Sequence, residues 1–280
     1  MLAIPRNIPN LLVAGLLLAV LAVSLWPHIE RQFVYFPTSE ILDTPDQLGL
    51  EYEDVFIPVS DGERINGWFV PGPSEVTLLW LHGNGGNIGH RLDELGLMHY
   101  RLGVNILIVD YRGYGRSDGR PSEAGLYQDA QAALAYLQTR EDVNSDKIVY
   151  FGRSLGAAVA VELATQQPPY GLVLVAPFAS LGHMARLALP WLPLHWLVRN
   201  HFNSLERIRG LHAPLLVIHG EQDQTVPISQ GQLLYEAANS PKVFQNLPAA
   251  AHNDTYDQGG ETYWQSWSDF LESLEGGESP

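Results

Sequence analysis

The sequence predicts an α/β fold built on a mostly parallel sheet of eight strands with helices on both faces. Short apolar runs recur along the chain, helical periodicity fills most of the intervals between them, and an Asp-Gly turn joins two extended runs near the start. Strands that alternate with helices favour parallel pairing, because a crossover helix returns the chain to the same edge. At 280 residues and 46% hydrophobic composition, the chain is long enough for one domain with a sizeable core.

The predicted elements follow from these signals in chain order. Residues 28–50 have the composition of a connector, because proline and glycine interrupt them. Residues 51–58 and 64–70 flank Asp61-Gly62 and are expected to form an antiparallel hairpin. The remaining strands are predicted at 76–81, 104–109, 147–151, 171–175, 214–219 and 242–247, with helices at about 88–102, 122–140, directly after 154, 228–239 and 262–274.

An insertion at about 178–209 interrupts the main domain, which we place at residues 51–275. Its middle, residues 187–198, is strongly apolar and is twice broken by proline, which predicts a short helical cap. One interpretation is a cap that only packs on the domain. Another is a cap that also walls an acyl-chain pocket and contacts a bilayer rich in anionic head groups. The second rests on four arginines opposed only by Glu206, namely Arg186, Arg199, Arg207 and Arg209.

The amino terminus has the character of a membrane anchor. Residues 8–26 carry no charged side chain, a length that just spans a hydrocarbon core of about 30 Å. Arg6 precedes this run, so the positive-inside rule leaves the terminus in the cytoplasm and the domain outside it. We therefore expect residues 1–27 to form a single-pass transmembrane helix. An interfacial aromatic belt is expected at Trp26, Phe33, Tyr35 and Phe36.

Two other interpretations of this terminus stay open. A cleaved signal peptide would use Ala22-Val23-Ser24 as its small-residue site, and it would also export the domain. A monotopic or cytoplasm-facing attachment is the third possibility, because the charge asymmetry around the apolar run is slight.

Composition excludes several classes of function. The formal net charge of −15 disfavours nucleic acid as a partner and disfavours adsorption to anionic membranes by charge alone. The absence of cysteine removes disulfides, thiolate-ligated zinc and a thiol nucleophile. Ten histidines are present, but none stands in a His-Glu-x-x-His pattern, so no metal site is expected.

The most informative motif is Gly-Arg-Ser-Leu-Gly at 152–156. It joins the predicted strand 147–151 to a predicted helix, and Gly-x-Ser-x-Gly in that position is the pattern of a nucleophile elbow. The glycines leave space for a sharp turn that exposes the serine hydroxyl at the strand end. Backbone N–H groups at the helix start then stabilise an oxyanion. Ser154 is therefore the candidate nucleophile.

A serine hydroxyl needs a base to take its proton and an acid to orient that base. In a sheet of this type all three groups are expected at the carboxyl ends of strands. Asp223 and His252 lie in the loops after two successive predicted strands, which gives the chain order Ser, Asp, His. Glu221 and Asp254 are the alternative acids.

The loop His-Gly-Asn-Gly-Gly-Asn at 82–87 also follows a predicted strand. Its glycines allow backbone N–H groups to face a substrate oxygen, so the N–H of Asn84, with that of Leu155, is the candidate oxyanion hole. Gly85 is the alternative donor. A phosphate-binding loop is disfavoured, because Ile88 occupies the third glycine position of a dinucleotide fingerprint.

Asp110 and Arg112 end another predicted strand, in the sequence Asp-Tyr-Arg-Gly-Tyr-Gly. No strand-to-helix elbow surrounds the nearby Ser117, which disfavours a second nucleophile. We interpret the two charged residues as a structural ion pair or a loop clamp.

Together these motifs resemble the α/β-hydrolase superfamily, and more closely its membrane-anchored Bem46-like branch, which is related to the abhydrolase-domain 13 and 17 proteins. The resemblance covers about residues 30–270 and rests on the segments 33–37, 82–87, 110–115, 152–156 and 252–254. It implies an α/β-hydrolase fold with Ser154 as nucleophile, Asp223 as acid and His252 as base. It also implies ester, thioester or similar acyl substrates and no cofactor.

The chain departs from the family pattern at one point. Family members commonly carry glycine in the turn before the histidine, whereas residues 249–251 are all alanine here. The geometry of this turn decides the position of His252.

The sequence therefore predicts a membrane-attached serine hydrolase, of the carboxylesterase, lipase or thioesterase type, acting on a small-molecule or lipid acyl substrate. A serine peptidase of the same fold is one alternative. A non-catalytic, membrane-tethered binding protein on a hydrolase scaffold is the other. The complete set Ser154, His252 and Asp223 argues against the binding protein, since binding gives no reason to retain all three.

Overall fold

The predicted sheet of eight strands is present in the structure, a computed structural model that describes residues 24–26, 28–191 and 198–276. Neighbouring strands pair in parallel except at one edge, where the Asp-Gly hairpin is antiparallel and pairs antiparallel with the next strand. Numbered in chain order, the strands lie side by side as β10 (Lys242–Leu247), β9 (Leu215–Gly220), β8 (Gly171–Val175), β7 (Ile148–Arg153), β4 (Thr77–Leu81), β6 (Asn105–Val109), β3 (Arg64–Val70) and β2 (Glu53–Pro58). The predicted mostly parallel α/β sheet is confirmed.

Helices cover both faces of this sheet, as a parallel sheet with apolar side chains on both sides requires. Leu79 and Leu81 of β4 face one layer of the core, whereas Leu78 and Trp80 face the other, because side chains alternate along a strand. The helices are α1 (Leu92–Leu102), α2 (Glu123–Gln138), α3 (Leu155–Gln166), α4 (Leu181–Ala188), α5 (Ser204–Arg207), α6 (Ile228–Ala237), α7 (Thr255–Gln258) and α8 (Gly260–Gly276). Helices α2, α3 and α6 pack on the first face, and α1 and α8 on the second.

Local sequence signals set the helix ends. The Ser122 hydroxyl accepts a hydrogen bond from the Gly125 N–H at 3.1 Å, which caps the start of α2. Gly103 ends α1 with a φ of 64°, a left-handed conformation that glycine adopts without steric cost.

The predicted connector, residues 28–50, is structured and packs on the domain. It contains helical residues at 28–34 and the short strand β1 (Phe36–Pro37). Strand β1 pairs in parallel with β5 (Gly85–Gly86), which belongs to the loop that follows β4. This pairing ties the segment that leads out of the predicted anchor to the carboxyl edge of the sheet.

The predicted transmembrane helix lies almost wholly outside the described residues, since 1–23 and 27 are not among them. Within the described part of the chain, no helix combines the length and the apolar character needed to cross a bilayer. The prediction that Tyr35 belongs to the aromatic belt is wrong. Tyr35 is buried and donates its hydroxyl to Asn200 at 2.9 Å, so it belongs to the core. Phe33 and Phe36 are exposed.

The insertion predicted as a cap contains the two helices α4 and α5, while residues 192–197 of its apolar middle lie outside the described residues. Arg207 does not contribute to a free basic patch. Its Nε forms an ion pair with Glu162 of α3, and its guanidinium lies 5.3 Å from the centre of the Tyr127 ring. Arg207 therefore fastens the insertion to the domain. Arg186, Arg199 and Arg209 are exposed.

Candidate active site

Ser154 occupies the turn between β7 and α3 in an unusual backbone conformation. Its φ is 52° and its ψ is −113°, a region that residues with a Cβ seldom adopt. The Ser154 N–H donates to the carbonyl of Val175 at 2.9 Å, which anchors the turn to the neighbouring strand β8. The turn places the serine hydroxyl at the carboxyl edge of the sheet, as expected for a nucleophile elbow.

Close backbone packing explains the two glycines of this motif. A Cβ on Gly156 would lie 1.9 Å from the carbonyl oxygen of Leu81, at the end of β4. A Cβ on Gly152 would lie 2.4 Å from the carbonyl oxygen of Gly156. Neither site accepts a side chain, because the first turn of α3 lies against the strand ends with no space between their backbones.

The structure brings Ser154, His252 and Asp223 into one chain of hydrogen bonds. His252 Nε2 lies 3.0 Å from Ser154 Oγ, and His252 Nδ1 lies 2.7 Å from Asp223 Oδ2. Asp223 follows β9 and His252 follows β10, so both come from the carboxyl edge that also carries Ser154. An ionised carboxylate only accepts hydrogen bonds, so Nδ1 carries the proton and Nε2 is left as the acceptor for the serine hydroxyl.

Several donors keep Asp223 ionised. Burial by itself would raise the pKa of this carboxyl, but hydrogen bonding from His219 and His252 and the backbone N–H of Val226 lowers the pKa well below its ordinary value. His219 Nε2 lies 3.4 Å from Asp223 Oδ2, and the Val226 N–H donates to Oδ1 at 2.7 Å. Sequence reasoning overlooked His219, although its place at the end of β9, four residues before Asp223, was a usable signal.

The alternative acids have other partners. Glu221 accepts a hydrogen bond from the Asn246 side chain. Asp254 accepts from the Ala251 N–H at 2.6 Å and thereby braces the turn that leads to His252. Of the three nearby acids, Asp223 is therefore the one at hydrogen-bond distance from His252.

The alanine turn before His252 needs no glycine. Among the described non-glycine residues, positive φ occurs at Ser154, Ala176 and Phe202, so residues 249–251 all adopt conformations open to alanine. The carbonyl of Ala250 accepts a hydrogen bond from the Gln222 N–H at 3.0 Å. This departure from the family pattern leaves His252 within hydrogen-bond distance of the serine.

The candidate oxyanion loop is held by the N-terminal segment. The Asn84 carbonyl accepts from the Phe36 N–H at 3.0 Å and from the Tyr114 hydroxyl at 2.9 Å, while Asn84 Nδ2 donates to the Val34 carbonyl at 3.1 Å. Leu155 is the first residue of α3, where an N–H group has no acceptor inside its own helix. The role of the Asn84 and Leu155 N–H groups as oxyanion donors stays a prediction.

A buried ion pair that the sequence analysis missed supports the histidine loop. Arg153, the second residue of the elbow motif, donates to Glu94 of α1 at 2.5 Å, to the Thr255 hydroxyl at 3.0 Å and to the His252 carbonyl at 3.3 Å. The Tyr263 hydroxyl also donates to Glu94, at 2.9 Å. An acidic residue among the otherwise apolar buried positions of α1 was the signal that could have revealed this pair.

The expected pairing of Asp110 with Arg112 is wrong. Asp110 lies 3.3 Å from the buried His82, whereas Arg112 pairs with Asp129 at 2.8 Å and with Asp61 at 2.7 Å. Both residues lie in the loop that follows β6, and each is held by other partners: the Ile88 N–H donates to Asp110 at 2.9 Å, whereas the Arg112 N–H donates to Asp129 at 2.8 Å. Arg112 does act as a loop clamp, between α2 and the hairpin turn.

A cavity of about 440 Å³ opens beside the hydrogen-bonded chain. Its walls come from the candidate oxyanion loop, the short helical turn before α1, the elbow, the two loops that carry Asp223 and His252, and the residue after β1. The lining residues are Thr38, Gly83, Asn84, Gly85, Gly86, His90, Arg91, Arg153, Ser154, Thr225, His252 and Asn253. Among the described residues, no group of three or more acidic or histidine side chains is arranged to hold a metal ion.

A strained residue between a parallel strand and a helix, in a sheet of this order, defines an α/β hydrolase. Comparison with known proteins gives the same class. The profile of the serine aminopeptidase S33 family matches residues 72–207. An esterase of Pyrococcus furiosus, Pf2001, superposes with a TM-score of 0.71 at 25% identity, covering 85% of this chain and 98% of that one.

Relatives in sequence identify the family more narrowly. The Mycobacterium tuberculosis protein Rv2307c is 40% identical over 252 residues, which are 89% of each protein. The bem46 protein of Schizosaccharomyces pombe is 34% identical over 273 residues, covering 92% of this chain and 91% of that protein. The chain belongs to the Bem46-like family of α/β hydrolases.

Substitution of the second motif glycine tests the packing of the elbow. Gly156→Ala is expected to lower the free energy of unfolding by about 3 kcal/mol, because the new Cβ collides with the β4 backbone. Gly210→Ala is the control, since a Cβ there meets no atom within 4 Å, and a change below about 0.5 kcal/mol is expected. Urea unfolding measures both values. Equal stability of the two variants would contradict the close approach.

Removal of one charge tests the buried ion pair. Glu94→Gln is expected to cost about 3 kcal/mol of stability, because it leaves the Arg153 guanidinium buried without a counter-charge. Glu261→Gln removes an exposed pair with Arg101 and is expected to cost less than about 1 kcal/mol. Urea unfolding of both variants at pH 7 gives the comparison. Equal losses of stability in Glu94→Gln and Glu261→Gln would refute the supporting role of the Arg153–Glu94 pair.

Proposed function

We propose that this α/β hydrolase is a membrane-attached serine hydrolase that cleaves a carboxylic ester or thioester. One observation carries the proposal: the chain of hydrogen bonds from Asp223 through His252 to Ser154, with distances of 2.7 and 3.0 Å. A base within hydrogen-bond reach of a serine, itself oriented by a buried carboxylate, is the arrangement that activates a hydroxyl for acyl transfer.

The reaction then proceeds in two halves. His252 Nε2 takes the proton of Ser154 as Oγ attacks the acyl carbon, and the Asp223 carboxylate stabilises the imidazolium that forms. The N–H groups of Leu155 and Asn84 receive the oxyanion of the tetrahedral intermediate. His252 next protonates the leaving alcohol or thiol. A water molecule, deprotonated by the same imidazole, attacks the acyl-enzyme and releases the acid.

A peptidase is the second candidate, and the name of the matching S33 aminopeptidase family favours it. An aminopeptidase has to bind a positively charged substrate amine beside the scissile bond. In the described part of the chain, the residues that line the cavity include Arg91 and Arg153 but no aspartate or glutamate. A cation would be repelled there, so the lining favours ester or thioester cleavage over removal of an N-terminal residue.

A binding protein without catalysis is disfavoured by the backbone of the elbow. The positive φ of Ser154 costs about 1–3 kcal/mol, and such strain persists where function requires the geometry. A site that only binds a ligand has no need for a strained serine at hydrogen-bond distance from a histidine.

Membrane attachment is supported by the surface next to the uncharged run. Residues 24–26 and 28–34 are helical, and they expose Leu25, Ile29 and Phe33 at a spacing of four residues. Ile29 and Phe33, which both belong to the helical residues 28–34, therefore lie on one helix face. An exposed apolar stripe that continues directly from the uncharged run 8–26 suits the head-group region of a bilayer.

Loss of the serine hydroxyl tests the catalytic role. Ser154→Ala is expected to abolish labelling by a fluorophosphonate probe and to lower kcat/KM for p-nitrophenyl acetate by about 10³-fold or more. Ser145→Ala is the matched control, because Ser145 is exposed and precedes the other end of β7. Labelling of the wild type together with Ser154→Ala would exclude Ser154 as the nucleophile. An unlabelled, inactive wild type would favour the binding protein, and hydrolysis of alanine p-nitroanilide alone would favour the peptidase.

Charges placed in the uncharged run test membrane attachment. The double variant Leu17→Arg/Leu18→Arg is expected to move the full-length protein from the carbonate-resistant membrane pellet to the supernatant, since each arginine costs about 2.5–3.5 kcal/mol at a bilayer centre. Leu42→Arg, at an exposed leucine of the described domain, is expected to stay in the pellet. Wild-type protein recovered in the supernatant would refute the attachment.

A further inference from the structure

The charge of the cavity beside Ser154 is opposite to that of the chain. The protein has a formal net charge of −15. The described residues that line its cavity nevertheless include two arginines and two histidines, and no aspartate or glutamate. Among the described residues, the lining also contains no aliphatic or aromatic hydrocarbon side chain. Such a surface offers hydrogen-bond donors and positive charge, and it offers little to an apolar chain.

The two arginines of this cavity differ in their electrostatic surroundings. The charge of Arg153 is balanced by Glu94 at 2.5 Å. Arg91 has no such partner, since no carboxylate of the described residues lies within 4.0 Å of its guanidinium. Arg91 donates from Nη2 to the carbonyl of Gly85, and its buried Nε has no hydrogen-bond partner in the described part of the chain. Among the described residues, Arg91 is thus the arginine of the cavity that has no ion-pair partner.

The surroundings of Arg91 disfavour its charge when the cavity holds no ligand. Burial lowers the pKa of Arg91 most, and the positive charge of Arg153 lowers it further, whereas the more distant Glu94 and Asp110 oppose this shift only in part. A guanidinium nevertheless stays protonated in proteins. A bound anion would supply the missing counter-charge and accept hydrogen bonds from a planar group that matches carboxylate and phosphate geometry.

We infer that the cavity selects esters or thioesters whose acyl or alcohol part carries an anionic oxygen group, a carboxylate or a phosphate, and that Arg91 binds this group. The inference rests on the proposed function, because it assigns a substrate class to the same site. Arg91 is a specificity residue here. It holds the anion while Ser154 attacks the neighbouring carbonyl.

The described part of the cap does not offer a competing apolar site at this cavity. None of the lining residues belongs to 178–191 or 198–209. The wall on the side of the N-terminal segment is Thr38, a polar residue. The described part of the cavity therefore suits a compact, polar ester better than a long acyl chain.

Two matched pairs of esters test the inference. In the first pair, 4-acetoxybenzoate and 4-acetoxybenzamide have nearly the same shape and differ in charge. In the second, 4-acetoxyphenyl phosphate is compared with its neutral dimethyl ester, which separates phosphate from carboxylate preference. The measured quantity is the ratio of kcat/KM for the anionic ester to that for its neutral partner. Any shift of the oxyanion loop affects both members of a pair and cancels in the ratio.

The wild type is expected to prefer the anionic member of at least one pair by about tenfold, which corresponds to one charge-assisted contact. Arg91→Met is expected to bring this ratio close to one, and Arg91→Lys, which keeps the charge, to retain part of it. Arg101→Met is the control for net charge. Arg101 lies at the far end of α1, ten residues or about 15 Å from Arg91, and its variant should keep the wild-type ratio.

Three outcomes overturn the inference. Equal kcat/KM for both members of both pairs in the wild type shows that the cavity does not select anions. An unchanged ratio in Arg91→Met, with both rates lowered, shows that Arg91 only positions the oxyanion loop through the Gly85 carbonyl. Absence of turnover for all four esters, with no difference between wild type and Ser154→Ala, overturns the proposed function and this inference with it.

Discussion

The whole site depends on a contact between two backbones. The first turn of α3 lies so close to the end of β4 that Gly156 has no room for a Cβ next to the Leu81 carbonyl. This contact fixes the direction in which the helix leaves the sheet. The chain can turn from β7 into that direction only with a positive φ at Ser154. The hydroxyl is thereby presented to His252 by rigid main chain, without dependence on a flexible side chain.

Two arginines near this serine differ in their charge partners. Arg153 and Glu94 form a buried pair, and Arg153 also donates to the His252 carbonyl, so the histidine loop is held by the residue that precedes Ser154. Arg91 lines the cavity, and no acidic side chain of the described residues lies within ion-pair distance of it. The two arginines therefore differ in role because they lie at different places in the fold. One is a structural group with its charge balanced, and the other is open to a ligand.

Much of the fold was accessible from sequence because its signals are local. Strand 242–247 coincides with β10, since a run of strand-forming residues between turns is recognised without knowledge of its neighbours. The serine, acid and histidine were found because chain order and strand ends restrict the choices. Ion pairs between residues far apart in the sequence could not be predicted. Arg112 pairs with Asp129, 17 residues away, and Arg153 pairs with Glu94, 59 residues away. No pattern within a strand or a helix encodes such distances.

The short pairing between β1 and β5 shows that the folded domain starts earlier in the chain than composition predicts. Sequence composition places the start of the catalytic domain at residue 51, yet Thr38 walls the cavity and the Phe36 N–H holds the Asn84 carbonyl. Removal of residues up to 50 would remove this wall and the contacts that hold the loop opposite Ser154. The Val34 carbonyl also accepts a hydrogen bond from the Asn84 side chain, so the segment that holds this loop begins before β1. Residues 34–38, which composition assigns to a connector, therefore belong to the site, and composition alone places the domain boundary too late in the chain.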